Sequence, residues 1–132
     1  MEGYSVGEAA AVLGVSPDTV RRWVDGGQLA AARTPGGRRR IDGVDLARFA
    51  QSLYPGPDPH HARRESARNR FPGIVTNIVK DTVMAQVELQ SGPFRIVALV
   101  SRAAVDDMGL RTGVMVDAVV KATNVLIESP GR

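Results

Sequence analysis

The chain of 132 residues contains no cysteine, which excludes disulfides and thiolate metal sites and fits a reducing compartment. No run approaches the ~20 consecutive apolar residues of a membrane-spanning helix. The opening Met1-Glu2-Gly3-Tyr4-Ser5 lacks the basic region and apolar stretch of a secretion signal. These absences predict a cytoplasmic protein without membrane contact. The two histidines, His60 and His61, are adjacent and have no carboxylate cluster near them in the sequence; we read them as solvated and assign no metal site. Nothing in the sequence pairs a nucleophile with a base, forms a carboxylate dyad or spaces metal ligands, so no enzyme is indicated.

What is present is an uneven charge. The net value is only +3, yet Arg21 to Arg40 holds six arginines (21, 22, 33, 38, 39 and 40) against one acid, Asp25. Residues 73–132 carry six basic and six acidic side chains. The positive field therefore belongs to the first half.

Local patterns divide the chain. Ser5-Val6-Gly7-Glu8 is a capping box followed by apolar residues at helical spacing up to Leu13. Ser16-Pro17-Asp18 supplies a cap, a first-turn proline and an acid for a second helix through Val24, closed by Gly26-Gly27. The short link between them predicts a helix-turn-helix. Residues 28–33 and 38–41, joined by Thr34-Pro35-Gly36-Gly37, predict a small β wing, and Asp42 caps a third helix ending near Leu53. Residues 54–65 have too many prolines and too few apolar side chains to fold alone and read as a linker.

Beyond the linker the period changes. Gly73–Ile78, Val83–Leu89 and Phe94–Val100 read as strands, Ser101–Met108 as a short helix and Val114–Ile127 as further strand. The expected fold is α+β: a winged helix-turn-helix over 1–53, then a small OB-like five-stranded β-barrel over 66–128. A unit of about 60 residues buries only about 60% of the surface its unfolded chain exposes, so association of copies is expected.

In a helix-turn-helix the second helix enters the major groove of DNA. Its exposed candidates here are Asp18, Thr19, Arg21 and Arg22, with Val20, Trp23 and Val24 assigned to the core. Arg33, Arg38, Arg39 and Arg40 beside a glycine turn can approach phosphate or the minor groove, and the guanidinium fork suits guanine and phosphate alike. The order from Ser5 through Val20-Arg21-Arg22-Trp23 and Gly26-Gly27-Gln28-Leu29 to Arg33-Thr34-Pro35-Gly36-Gly37-Arg38-Arg39-Arg40 resembles MerR-type and excisionase-like winged helix-turn-helix regulators. That resemblance implies binding of double-stranded DNA through Thr19 and these arginines.

Hydroxyls, backbone N–H groups and cations are what a tetrahedral dianion requires, because it only accepts hydrogen bonds at neutral pH. Residues 66–128 supply them at three separated points: Ser66-Ala67-Arg68-Asn69, Ser101, and Lys121-Ala122-Thr123. Chemistry alone leaves these as scattered polar groups. The Ser66–Asn69 opening, the strand run after it and the Lys121-Ala122-Thr123-Asn124-Val125 ending are similar to the molybdate-binding Mop (TOBE) domain. The resemblance implies a molybdate or tungstate oxyanion held at interfaces of a homo-oligomer by Ser66, Arg68, Ser101 and Lys121, with Ala67, Asn69, Ala122 and Thr123 beside it. Ser101 keeps the hydroxyl where threonine is commoner; Ala104 replaces a frequent serine and removes one donor. The functional expectation is a molybdate- or tungstate-responsive DNA-binding transcriptional regulator. Its alternatives are an oxyanion storage or homeostasis protein without ligand-controlled DNA binding, and a DNA-architectural protein whose barrel only assembles copies.

Overall fold

The computed structural model describes residues 3–55 and 66–130. Of the expected linker, only Tyr54 and Pro55 fall within that range; His60, His61 and Glu65 lie outside it. The chain forms two compact units, Met1–Ala62 and Arg63–Arg132.

In the first unit, β1 (Gly3–Tyr4) leads into α1 (Val6–Leu13), α2 (Pro17–Asp25), β2 (Ala32–Arg33), β3 (Arg39–Asp42) and α3 (Gly43–Leu53). Each helix starts where its cap predicts. The Ser5 hydroxyl accepts from the Glu8 N–H and the Glu8 carboxylate accepts from the Ser5 N–H, both at 3.1 Å. Ser16 Oγ accepts from the Thr19 N–H at 3.2 Å, and Asp42 accepts from Val44 and Asp45. These bonds satisfy N–H groups that a helix start leaves without intrahelical partners.

Ala9, Ala10, Leu13, Val20, Leu29, Ile41 and Leu46 form the buried core of this unit. Trp23 packs on its margin, its ring centroid 5.0 Å from that of Phe49 at a tilted angle. Tyr54 donates its hydroxyl to the Leu13 carbonyl at 2.8 Å, tying the end of α3 to α1. The expected hairpin is present but short: Ala32 pairs with Arg40 and Arg33 with Arg39. One strand was not foreseen. β1 adds to the other side of β3, with Gly3 opposite Asp42 and Tyr4 opposite Ile41.

The second unit is a four-stranded antiparallel sheet in the order β6-β5-β4-β7, built from β4 (Asn69–Lys80), β5 (Met84–Ser91), β6 (Phe94–Ser101) and β7 (Met115–Val120). A short helix, α4 (Arg102–Met108), lies between β6 and β7, and a 3-10 turn, Ala122–Asn124, follows β7. Val75, Ala85, Val87 and Val105 are its buried core. The alternation read from β5 holds for Ala85, Val87 and Leu89, which are buried. Val83 breaks it, because its N–H donates to the Asp81 carboxylate in the turn that precedes the strand.

The expectation of five strands needs correction. Among the described residues the sheet has four, and of Val114–Ile127, expected as strand, only Met115–Val120 pairs. After Val120 the chain turns out of the sheet, with the Asn124 N–H donating to the Lys121 carbonyl at 2.9 Å and Val125 to Ala122 at 3.3 Å. β4 is longer than expected because its first half pairs with β7 and its second half with β5, across a register shift between Val75 and Asn77. Upstream of Ile74 it is paired on one side only, which is where a strand accommodates a proline such as Pro72. Gly73 is required by close approach: a Cβ there would lie 2.5 Å from the Gln90 carbonyl oxygen.

Candidate functional site

The arginines of the first unit fall into distinct environments. α2 presents Arg21 and Arg22 outward, opposite buried Val20. Arg21 Nη1 lies 2.6 Å from Asp18 Oδ1, one turn earlier. Arg22 donates to Thr19 Oγ1 at 3.1 Å, and that hydroxyl is 2.9 Å from Ser16 Oγ. Thr19 is thus part of the helix cap as well as a candidate contact.

The hairpin orders its own arginines. Thr34 and Arg38 close the turn through Thr34 N–H to the Arg38 carbonyl at 2.7 Å, and Arg33 donates to the Gly37 carbonyl at 2.9 Å. Arg39 is ion-paired with Asp25 at the end of α2. That bond was not foreseen, although Asp25 was the one acid among the six arginines. Arg38 and Arg40 are exposed.

A cavity of about 440 Å³ brings four of these arginines together, Arg21, Arg33, Arg38 and Arg39, against Ser5 and Gly7 at the start of α1. Arg22 and Arg40 are not among its lining residues. Glu8, in the same first turn, has its carboxyl held below the usual range, chiefly by the backbone N–H of Ser5, then by the Ser5 hydroxyl, with Arg40 adding a smaller effect. A concave, arginine-lined surface of this kind attracts phosphate.

In the second unit the register puts the last residue of the first polar group opposite the residue that precedes the third. Asn69 lies opposite Val120 across β4 and β7, and its Nδ2 donates to the Val120 carbonyl at 3.1 Å. Ser66-Ala67-Arg68 therefore lead into the start of β4, and Lys121-Ala122-Thr123 follow the end of β7 paired with it. Ser66, Arg68, Lys121, Ala122 and Thr123 are exposed, while Ala67 and Asn69 are half-buried. Arg70 next to them pairs with Asp117 at 3.0 Å, a cross-strand tie missed from sequence because its members are 47 residues apart.

Ser101 is not brought to this group along the sheet. It ends β6 opposite Met84, at the end where Ala85 pairs with Lys80, the last residue of β4. Asn69 is the first residue of the same strand. Twelve residues at ~3.3 Å each separate the two ends by roughly 35 Å of strand path. Ser101 Oγ caps α4 by accepting from the Ala104 N–H at 3.0 Å; its own proton remains available for donation. At this end Asp81 is held below the usual carboxyl range by the Met84 N–H first, then the Val83 N–H, with a smaller contribution from Arg102.

Residues 65–127 match the TOBE domain family. Over 63 residues the chain is 38% identical to molybdenum-pterin-binding protein 2 of Clostridium pasteurianum, covering 47% of this chain and 93% of that protein. The chain belongs to the TOBE domain family. Molybdenum-pterin-binding protein 3 of the same organism is 35% identical to the TOBE unit over the same shares of each chain. A solved molybdate-binding protein from Sporomusa ovata aligns with it at 34% identity, covering 51% of this chain and 100% of that one, with a TM-score of 0.49. Upstream of the TOBE unit, residues 4–54 match the helix-turn-helix domain family.

No helix among the described residues is long and apolar enough to cross a membrane. Among the described residues no three histidine, aspartate or glutamate side chains gather as metal ligands.

Proposed function

We propose that this protein is a molybdate- or tungstate-responsive transcriptional regulator of the cytoplasm, reading DNA with its winged helix-turn-helix and sensing the oxyanion with its TOBE unit. One observation carries the reading: a TOBE unit in which β4–β7 pairing puts Asn69 opposite Val120, the residue before Lys121, occurs in one chain with a cavity lined by four arginines. The names of the curated relatives point to molybdenum as the ligand class.

The oxyanion accepts hydrogen bonds from Ser66, Arg68, Asn69 and Thr123, from the backbone around Ala67 and Ala122, and from the Lys121 ammonium. Ser101 joins them from another protomer, since it stands at the far end of β4 from Lys121. Each of the hydroxyl, Lys121 and Arg68 donors is exposed in the single chain. A second protomer covering them excludes water and strengthens every charge interaction in the shell. Ligand at that interface changes how two copies present their DNA-reading helices, and half-site spacing makes DNA affinity sensitive to that presentation.

Storage without ligand-controlled DNA binding is the second reading, favoured by relatives that correspond to the TOBE unit alone. Titration of operator-containing DNA fragments with and without molybdate separates the two. A molybdate-dependent shift in DNA affinity supports the regulator. Molybdate binding with unchanged DNA affinity supports storage, and absence of heat in calorimetry with both molybdate and tungstate removes both.

A further inference from the structure

The two adjacent arginines of α2 leave the helix on different sides. At about 100° per residue, Arg22 stands roughly 200° around the helix from buried Val20 and so points away from the core, whereas Arg21 stands on the flank. Asp25, one turn after Arg21, shares that flank and is ion-paired with Arg39 of β3, so the flank faces the hairpin. Arg21 accordingly lines the cavity with Arg33, Arg38 and Arg39, and Arg22 does not. Arg22 instead donates through Nη2 to Thr19 Oγ1 at 3.1 Å, and that hydroxyl lies 2.9 Å from Ser16 Oγ at the start of the helix.

We infer that these two arginines divide the reading of DNA: Arg22, held by Thr19, takes a guanine in the major groove, and Arg21 joins the hairpin arginines on the phosphate ridge beside that groove. The inference rests on the DNA-binding reading above. A helix with its side chains is about 10–12 Å across, and the major groove is about 12 Å wide. A helix laid there presses its flanks against the phosphate walls and turns its outermost side chains to the base edges. The hairpin lies beside one flank of α2, toward the adjoining minor groove, and a phosphate ridge separates the two grooves. The arginine-lined cavity between α2 and the hairpin receives that ridge.

The bonding of each guanidinium agrees with this division. Arg39 has a donor to give the ridge: its Nη2 is paired with Asp25, but its Nη1 is buried without a hydrogen-bond partner among the described residues, and a buried donor left in that state is costly. Arg21 is held on the flank by Asp18 at 2.6 Å, where a point charge on phosphate needs no base geometry. Arg22 keeps donors enough after bonding Thr19 to fork onto guanine O6 and N7. The Thr19 bond also restrains a long side chain before DNA arrives, which lowers the entropy lost on binding. Thr19 is thus a positioning residue for Arg22.

Full-length wild type and single variants are each used to select from a pool of DNA duplexes with a randomised core. Arg21 and Arg22 are exposed, so their alanine variants keep the fold. Arg22→Ala should lose the preference for a guanine that wild type selects, a change of roughly 5- to 150-fold between guanine and the other bases at that position. Arg21→Ala should select the same sequence, bind it more weakly, and lower the slope of log affinity against log salt by about 0.9. Replacing the selected guanine by 7-deazaguanine, which lacks the N7 acceptor, should weaken wild type and leave Arg22→Ala unaffected. Thr19→Val should lose part of the preference and Thr19→Ser should keep it, although both retain the backbone bond to Ser16 Oγ that caps the helix. Equal guanine preference in Arg22→Ala and wild type, loss of that guanine in Arg21→Ala, or a wild type that binds duplexes without favouring a guanine overturns the inference and leaves DNA binding standing. A Thr19→Val variant that discriminates as wild type does overturns the role of Thr19. A wild type that binds no duplex removes the DNA reading itself, and the inference with it.

Discussion

Arg39 of β3 and Asp25, the last residue of α2, are ion-paired, so the hairpin is tied to the end of the helix that carries Arg21 and Arg22. The pair removes charge from the arginine-lined surface and orients the turn in the same bond. Asp25 is 61% exposed, so the bond contributes little to stability.

Asp25→Asn should therefore lower unfolding free energy by less than about 1 kcal/mol, read by urea denaturation. It should also raise DNA affinity at low salt, because a negative charge leaves a positive surface. Fluorescence anisotropy with a labelled duplex checks this. A fall in affinity would show instead that the tie is needed to present Arg39.

Arg21→Ala combined with Arg22→Ala should erode sequence preference, each lost base contact costing about 1–3 kcal/mol. Arg38→Ala, in the hairpin, should weaken all DNA sequences alike and reduce the slope of log affinity against log salt by about 0.9 for a lost phosphate contact. Competition binding over a salt series distinguishes the effects. Variants with wild-type footprint and slope would remove the DNA reading.

Lys121→Ala should abolish molybdate and tungstate binding while leaving the fold and DNA binding in place, because Lys121 is exposed and outside the core. Ser66→Ala should weaken binding by about 1.5–3 kcal/mol, the scale of one hydrogen bond to a charged group. Calorimetry and circular dichroism on the same samples report ligand and fold separately. Wild-type affinity in Lys121→Ala would exclude Lys121 from the oxyanion site.

Acid should destabilise both units through named carboxylates. Glu8, Asp81 and Glu88 all have folded pKa values below their ordinary ones: Glu8 and Asp81 through backbone N–H donors, Glu88 through its bond from Arg95. A depressed folded value means the stabilisation is complete above the unfolded pKa, near 4, and is lost as pH falls through the folded values. The urea midpoint should be flat from pH 7 to 5 and fall below about 4. Asp81→Asn should make that acid limb shallower, since the Val83 and Met84 N–H groups then lose a charged acceptor at every pH. An acid limb identical to wild type would exclude Asp81 as a contributor.

Much of this protein was written in local pattern. Ser5, Ser16 and Asp42 mark helix starts because capping is a bond between residues two or three apart. The two-unit organisation follows from a change of hydrophobic period across a proline-rich stretch, and the charge imbalance of residues 21–40 is plain from composition. The polar groups of the candidate oxyanion site were visible in the same way, as residue types.

Tertiary structure decided what those groups can do. Pairing of β4 with β7 brought Asn69 to Val120 across 51 residues, and the same sheet left Ser101 at the opposite end of β4. Arg39 lost its independence to Asp25, and Val125–Ile127, strand-like in composition, stayed out of the protomer's sheet. Caps and turns depend on neighbours in sequence, which a sequence displays directly. Register, strand number and charge pairing depend on which distant backbone groups and side chains compete for one partner, and that competition is resolved only when the chain is folded.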